Sequence, residues 1–190
     1  FIAIAKGDVP AGHWFAMARP LINLGTLRAL ISWSGTMFEY FMPALLMPAY
    51  PGTLLGETAQ GVAAAQKSFA KKLPFGISES GYYAFDRDLY YQYKAFGVPK
   101  LGLSSSLGQK VMAPYATFLM MRTAPEDAIR NLERLRGEGA YGKYGFYEAV
   151  DYTDRGGPGG KVVRSFMAHH QGMSLVALVN FRMQDRIRRD

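Results

Sequence analysis

Thr-Ala-Pro-Glu-Asp-Ala-Ile-Arg-Asn-Leu-Glu-Arg-Leu-Arg-Gly, residues 123–137, is the stretch from which the fold class is read. Thr123-Ala124-Pro125-Glu126 has the pattern of a capping box, with Pro125 inside the first turn, where its missing N–H costs nothing. Ala128, Ile129, Leu132 and Leu135 recur at helical spacing and predict a buried stripe, and Gly137 marks the stop. The same period governs the chain on both sides. A helix is expected over His13 to Ile31, kinked or restarted at Pro20, with Leu21, Leu24, Leu27, Arg28 and Ile31 in register. Others are expected over Met37 to Met47, bent or interrupted at Pro43, over Glu57 to Lys72, over Ala113 to Met121 and from about Gln171 to Arg189.

Strand-type alternation is nearly absent, so the predicted fold class is all-α. With 21 glycines and 10 prolines the connections should be long and shaped. Phe75 to Gly108 and Gly142 to Gly160 read as irregular, the first with an aromatic-rich Tyr82 to Phe96 run between short helical pieces, the second with a Gly-Gly-Pro-Gly-Gly tip at Gly156 to Gly160.

The chain has 190 residues, 49% of them hydrophobic and 19% charged, which suits one folded domain with a real core. Phe1 is not an initiator methionine, and the opening Phe1-Ile2-Ala3-Ile4-Ala5 gives way at once to Lys6, Gly7 and Asp8, which reads as a chain cut from something longer; no signal-peptide pattern is evident. The apolar stretch Met37 to Tyr50 is broken by Glu39, Pro43 and Pro48, well short of the roughly 20 residues of a membrane span. Zero cysteines remove disulfides, thiolate nucleophiles and cysteine–zinc sites. The net charge of +7 gathers densely only at Arg182, Arg186, Arg188 and Arg189, which reads as a solvated helix end. Nucleotide-binding glycine loops and the Gly-x-Ser-x-Gly elbow are missing. Nucleic-acid binding is not expected, because the aromatics cluster beside acids and glycines rather than beside lysines and arginines.

Three glutamates stand among aromatic or small residues. Glu39 lies in Met37-Phe38-Glu39-Tyr40-Phe41, Glu79 between Ser78 and Ser80, and Glu148 after Tyr144-Gly145-Phe146-Tyr147. A carboxylate in such a place needs hydrogen bonds or a role. Aromatic faces stack on pyranose rings, and most glycosyl-transfer chemistry uses two carboxyl groups, about 5 to 5.5 Å apart for retention and about 6.5 to 9.5 Å for inversion. Helix capping, or pairing with Arg19, Arg28 or Arg164, explains each glutamate equally well taken singly; three in one aromatic-rich chain favour a site. His169-His170 precede a helix, where adjacent imidazoles diverge, so no metal and no cofactor is expected. His13-Trp14 reads as core packing.

The runs Trp33-Ser34-Gly35-Thr36-Met37-Phe38-Glu39-Tyr40, Gly76-Ile77-Ser78-Glu79-Ser80 and Tyr90-Tyr91-Gln92-Tyr93-Lys94-Ala95-Phe96-Gly97-Val98-Pro99 resemble the glucoamylase-like domain of bacterial cyclic β-1,2-glucan synthases. So do Ala113-Pro114-Tyr115-Ala116-Thr117, Lys143-Tyr144-Gly145-Phe146-Tyr147-Glu148-Ala149 and Ser165-Phe166-Met167-Ala168-His169-His170-Gln171-Gly172-Met173. The resemblance implies an (α/α)6 toroid of helical hairpins, of which residues 1–190 would be the C-terminal part, since about twelve helices of roughly 11 to 12 residues would not fit. It further implies transglycosylation that closes β-1,2-glucan into rings, with β-1,2-glucan hydrolysis or non-catalytic glucan binding as the alternatives. The parent would be a large multidomain synthase on the cytoplasmic side of the inner membrane, held there by its other parts. On this reading Glu39, Glu79 and Glu148 are the candidate acid and nucleophile or base. Trp33, Tyr93, Arg164, His169, His170 and Gln171 would hold the glucan.

Overall fold

The structure is a computed structural model that describes residues 2–104, 108–154 and 159–189. It is mixed α/β, 41% helix and 18% strand, with the strands in several small antiparallel sheets. This corrects the all-α expectation and, with it, the (α/α)6 toroid of paired helices. Helices α4 (Leu54–Ala70), α6 (Pro125–Gly137) and α7 (Ala168–Arg182) are separated in the chain by strands rather than folded back on one another as hairpins.

Where helix was expected over His13 to Ile31, the chain makes α2 (His13–Ala16) and then a hairpin of β1 (Leu21–Leu24) and β2 (Leu27–Leu30), after the short α1 (Ile2–Ala5). Gly25, at φ 68°, turns the chain in two residues. Glycine adopts that conformation without penalty, and it outweighs the spacing of the leucines. α3 covers only Met37–Phe41, because Pro43 has no N–H to continue it, and Pro43–Leu45 tightens into a 3-10 turn. α4 starts at a Thr53 cap, whose hydroxyl accepts from Gly56 N–H, and lies against β2. Its Gly61 permits that approach, since a Cβ there would stand 3.3 Å from Leu24 and 3.5 Å from Ala29.

The run expected to be irregular from Tyr82 to Phe96 holds a second hairpin, β3 (Ser80–Phe85) with β4 (Tyr91–Lys94). Tyrosine and phenylalanine favour strands, and Asp86 closes the turn by accepting from the N–H groups of Asp88 and Tyr90. A three-stranded sheet of β5 (Val111–Met112), β8 (Ala149–Asp151) and β9 (Lys161–Val163) and a small pair, β6 (Tyr141–Gly142) with β7 (Gly145–Phe146), fill the stretches read as loop. The tip residues 156–158 lie outside the described residues. α5 is Pro114–Leu119. α6 begins on Ala124 with no side-chain cap, so the expected Thr123 capping box does not form; Ala128, Leu132 and Leu135 are buried and Ile129 is exposed. The last helix breaks after Arg182, where Gln184 and Asp185 take positive φ, and resumes as α8 (Arg186–Arg189).

The main core cluster includes Met37, Phe41, Val62, Ile77, Phe96, Leu101, Met112, Met120 and Val150, and a smaller one gathers Met121, Ala128 and Leu132. Three polar ties hold the layers. Asn131 of α6 accepts from Phe75 N–H (2.8 Å) and donates to Phe75 C=O (2.8 Å). Gln66 of α4 does the same for Ile77, at 3.1 and 3.0 Å. Asn180 of α7 donates to the Leu45 carbonyl (2.9 Å), 135 residues away in the chain. The turn at Ser34-Gly35 rests directly on the 97–102 backbone, where a Cβ on Gly97 would fall 1.8 Å from the Ser34 carbonyl oxygen.

Asp127, in the first turn of α6, lies 2.5 Å from Lys67 of α4 and 2.5 Å from Arg130. The Lys67 hydrogen bond first, then Arg130, hold its carboxyl below the usual carboxylate range. The ionised form is therefore favoured in the fold, so its contribution is present above the unfolded carboxylate range and is lost as pH falls through the lowered folded value. Asp127→Asn should lower the thermal midpoint at neutral pH by an amount worth roughly 1 kcal/mol or less, because the pair is near the surface. Melting curves of the two proteins should converge in acid, and a gap that persists there would contradict the pairing.

Candidate active site

Two strand starts and one helix start bring the site together. Glu148 stands just before β8, anchored by its N–H to Ser165 C=O at 3.0 Å. Its Oε1 accepts from Gly81 N–H at 3.0 Å, and His170 Nδ1 lies 2.9 and 3.0 Å from Oε1 and Oε2. Both side chains are 1% exposed, so these contacts are what offset the cost of removing a carboxylate from water. Gly81 has to be small: a Cβ there would stand 3.3 Å from Glu148 Cγ.

His170 lies in the first turn of α7, one step inside the helix that it was expected to precede. Tyr115 of α5 stacks flat on its ring, at a centroid distance of 3.7 Å and 11° between planes. The Tyr115 hydroxyl donates to Glu79 C=O (2.8 Å), so the Ser78 hydroxyl, 2.8 Å away, must donate to Tyr115, while Ser78 itself accepts from Phe38 N–H (3.0 Å). This chain fixes the backbone at Glu79. Burial, against the Ser78 hydrogen bond, pushes the Tyr115 hydroxyl well above its ordinary value and keeps its proton in place.

Glu79 leads into β3, and its charge acts on the Tyr93 hydroxyl of β4. Burial first, then the charge and hydrogen bond of Glu79, then the charge of Glu148, push the Tyr93 hydroxyl far up. The same hydroxyl is 3.4 Å from His170 Nε2. His170 thus stands between Glu148, which it contacts through Nδ1, and the Tyr93 hydroxyl, which faces Nε2, while the charge of Glu79 acts on that same hydroxyl. Nδ1 of His170, facing two carboxylate oxygens, is the donor to Glu148, and Nε2 faces Tyr93.

Of the other residues expected here, His169 packs its ring 4.0 Å from that of His170, and its pKa is lowered by burial and by His170. Gln171 donates to Phe146 C=O (3.2 Å) and lines a cavity of about 210 Å³ shared with Glu148, His170, Phe146 and Tyr147. Trp33 and Arg164 are exposed, and the structure does not bring either into this set. Glu39 makes different contacts. It completes a capping box with Thr36, and its carboxylate accepts from Ser34 N–H (3.0 Å), Thr36 N–H (3.1 Å) and the Ser32 hydroxyl (2.8 Å). It also borders a larger cavity of about 910 Å³, lined by Trp14, Phe15, Tyr40, Pro43 and Leu54, whose apolar walls offer few partners to a hydroxyl-rich ligand. Among the described residues no group of three or more His, Asp or Glu is placed to hold a metal ion. The residues that sequence reasoning passed over are Ser78, Gly81 and Tyr115. Tyr115 follows a proline at a helix start and lies in one of the runs that carry the family resemblance, and those were its signals.

A family model described as "Putative glucoamylase" matches residues 3–187. The chain belongs to this Glycoamylase family. It is 46% identical over 192 residues, 98% of its own length, to the cyclic β-(1,2)-glucan synthase NdvB of Rhizobium meliloti (strain 1021), of which it spans 7%. Its fold is that of two solved structures. One is the "putative glucoamylase" of Bacteroides uniformis ATCC 8492, at TM-score 0.65 and 17% identity over 94% of this chain and 44% of that one. The other is the endo-β-1,2-glucanase of Chitinophaga pinensis in complex with sophorotriose and glucose, at TM-score 0.62 and 18% identity over 89% and 42%. The chain therefore spans less than half of either.

Proposed function

We propose that this chain carries the acid pair of a glycoside-active enzyme that cleaves β-1,2-glucan and passes the glycosyl unit to a sugar hydroxyl, closing rings within a cyclic glucan synthase. The observation that carries the reading is the gathering of Glu79 and Glu148 around one pair of side chains: His170 contacts Glu148 and faces the Tyr93 hydroxyl, on which the charges of both glutamates act. Glycosyl transfer through a covalent intermediate needs one carboxyl to give a proton to the leaving oxygen and another to attack the anomeric carbon. A water or a sugar hydroxyl then releases the unit, returning its proton to the first carboxyl. In this proposal Glu79 and Glu148 are that pair, and Glu39 is a structural cap. Tyr93, His169, His170 and Gln171 line the site, with Trp33 and Arg164 reaching the substrate only farther out.

The 46% identity to a cyclic β-(1,2)-glucan synthase supports the choice of substrate, and the share of 7% supports a large multidomain parent, whose other parts would supply membrane attachment. No helix among the described residues is long and apolar enough to cross a membrane. Incubating linear β-1,2-glucan with the full-length parent and weighing the products tests the reaction. Products one water lighter than linear chains are expected; shortened linear chains would replace transfer by hydrolysis, and unchanged glucan would overturn the catalytic reading.

A further inference from the structure

The β3–β4 hairpin carries an aromatic stripe that the acid pair does not use. Side chains alternate along a strand, so Gly81, Tyr83 and Phe85 share one face of β3, and Tyr91 and Tyr93 share one face of β4. The register couples Gly81 to Tyr93 and Phe85 to Tyr91, and the irregularity between them sets three residues against one, an even difference that leaves the two rows on the same face. Tyr82 points the other way, its ring 5.5 Å from buried Phe96. One face of the hairpin therefore begins at the acids, where Gly81 N–H binds Glu148 and Tyr93 meets Glu79 and His170. It continues outward as Tyr91, Tyr83 and Phe85, whose ring centroids lie 4.8 to 5.8 Å apart.

Tyr83 and Phe85 are 39% and 44% exposed, against the tendency of such side chains to be covered. The edge of the stripe is polar: Asp151 accepts from Tyr83 N–H at 3.0 Å, and Lys161 Nζ lies 5.2 Å from the Tyr83 ring. Rings exposed in a row, bordered by hydrogen-bonding groups and continuous with a site for sugar, match a ligand that has apolar ring faces and a hydroxyl rim.

We propose that Tyr83, Phe85 and Tyr91 form a platform on which the sugar rings of a β-1,2-glucan lie beyond the point of cleavage, so that the hairpin selects for chain length. This rests on the functional reading above and adds a binding subsite to it. The platform holds rings that do not react, so it acts on affinity for long chains and leaves the chemistry of short ones unchanged.

The test replaces ring faces while keeping apolar bulk, so that the hairpin's own cross-strand packing survives: Tyr91→Leu and Phe85→Leu in the full-length protein, with Tyr91→Phe as the variant that keeps the ring. Turnover is measured on linear β-1,2-glucan of increasing length, and folding is checked by circular dichroism. The expected result is a KM for long glucan raised about tenfold by each leucine variant. The shortest glucan turned over should show unchanged kcat/KM, and Tyr91→Phe should restore the long-chain KM. Equal losses on short and long glucan, an unchanged long-chain KM, or failure of Tyr91→Phe to restore it would overturn the platform. If the parent turns over no glucan at all, the functional reading itself has failed. Binding of long glucan, measured by calorimetry, then reads the platform alone, and equal affinity of Tyr91→Leu and the parent would overturn it.

Discussion

Glutamine in place of Glu148 is expected to cut turnover of β-1,2-glucan by about a hundredfold to ten-thousandfold, the range over which a positioned acid or base acts. The substitution keeps the shape and one oxygen, so Gly81 N–H can still donate to the side chain at position 148. What is lost is the charge and the capacity to take or give a proton. The contact with His170 also weakens, because an amide offers Nδ1 one acceptor where the carboxylate offered two at 2.9 and 3.0 Å. Glucan affinity measured without turnover should stay within about threefold, since the residue is 2% exposed and the role proposed for it lies at the reacting bond alone. Loss of affinity in step with activity would make Glu148 a structural residue and sink its place in the pair.

His170→Ala should show chiefly in stability. It leaves the Glu148 side chain buried with one backbone donor, and removing one partner so that a buried polar group goes unsatisfied typically costs about 1–3 kcal/mol, more where that group is charged. It also opens a gap beneath Tyr115, whose ring lies 3.7 Å from the imidazole. Against a total stability of about 5–15 kcal/mol for an ordinary domain, much of the margin would go. Denaturant melts of His170→Ala, Glu148→Gln and the double variant form the deciding cycle. The double variant should be less damaged than the sum of the two singles, because each single change already breaks the contact that the other would break. Strict additivity would show that the two side chains do not depend on one another.

The three glutamates and both halves of the site were legible in the sequence because a carboxylate among aromatics is conspicuous wherever it lies. Which of them meet was not. Glu39 and Glu148 look alike as strings, yet one closes a helix cap three residues back and the other finds an imidazole 22 residues on. Helices with length and good formers, such as Leu54–Ala70, were read within a few residues of their ends. The strands were missed for a common reason. They are two to six residues long, too short to display alternation, and are held by partners that only the folded chain supplies, as Met112 is by Val150. At Leu21–Leu30 the leucine spacing suited either element, and the glycine in a left-handed turn settled it.

The hydrogen bond from Asn180 to the Leu45 carbonyl has a consequence during synthesis. A ribosome adding roughly 5–20 residues per second needs on the order of ten seconds to make the 135 residues between them. The first core layer must therefore wait, uncovered, for its closing helix. That same helix brings His170, so Glu148 lacks its imidazole partner until α7 has emerged. Substitutions that slow docking of α7 should therefore lower the yield of folded protein before they touch the site.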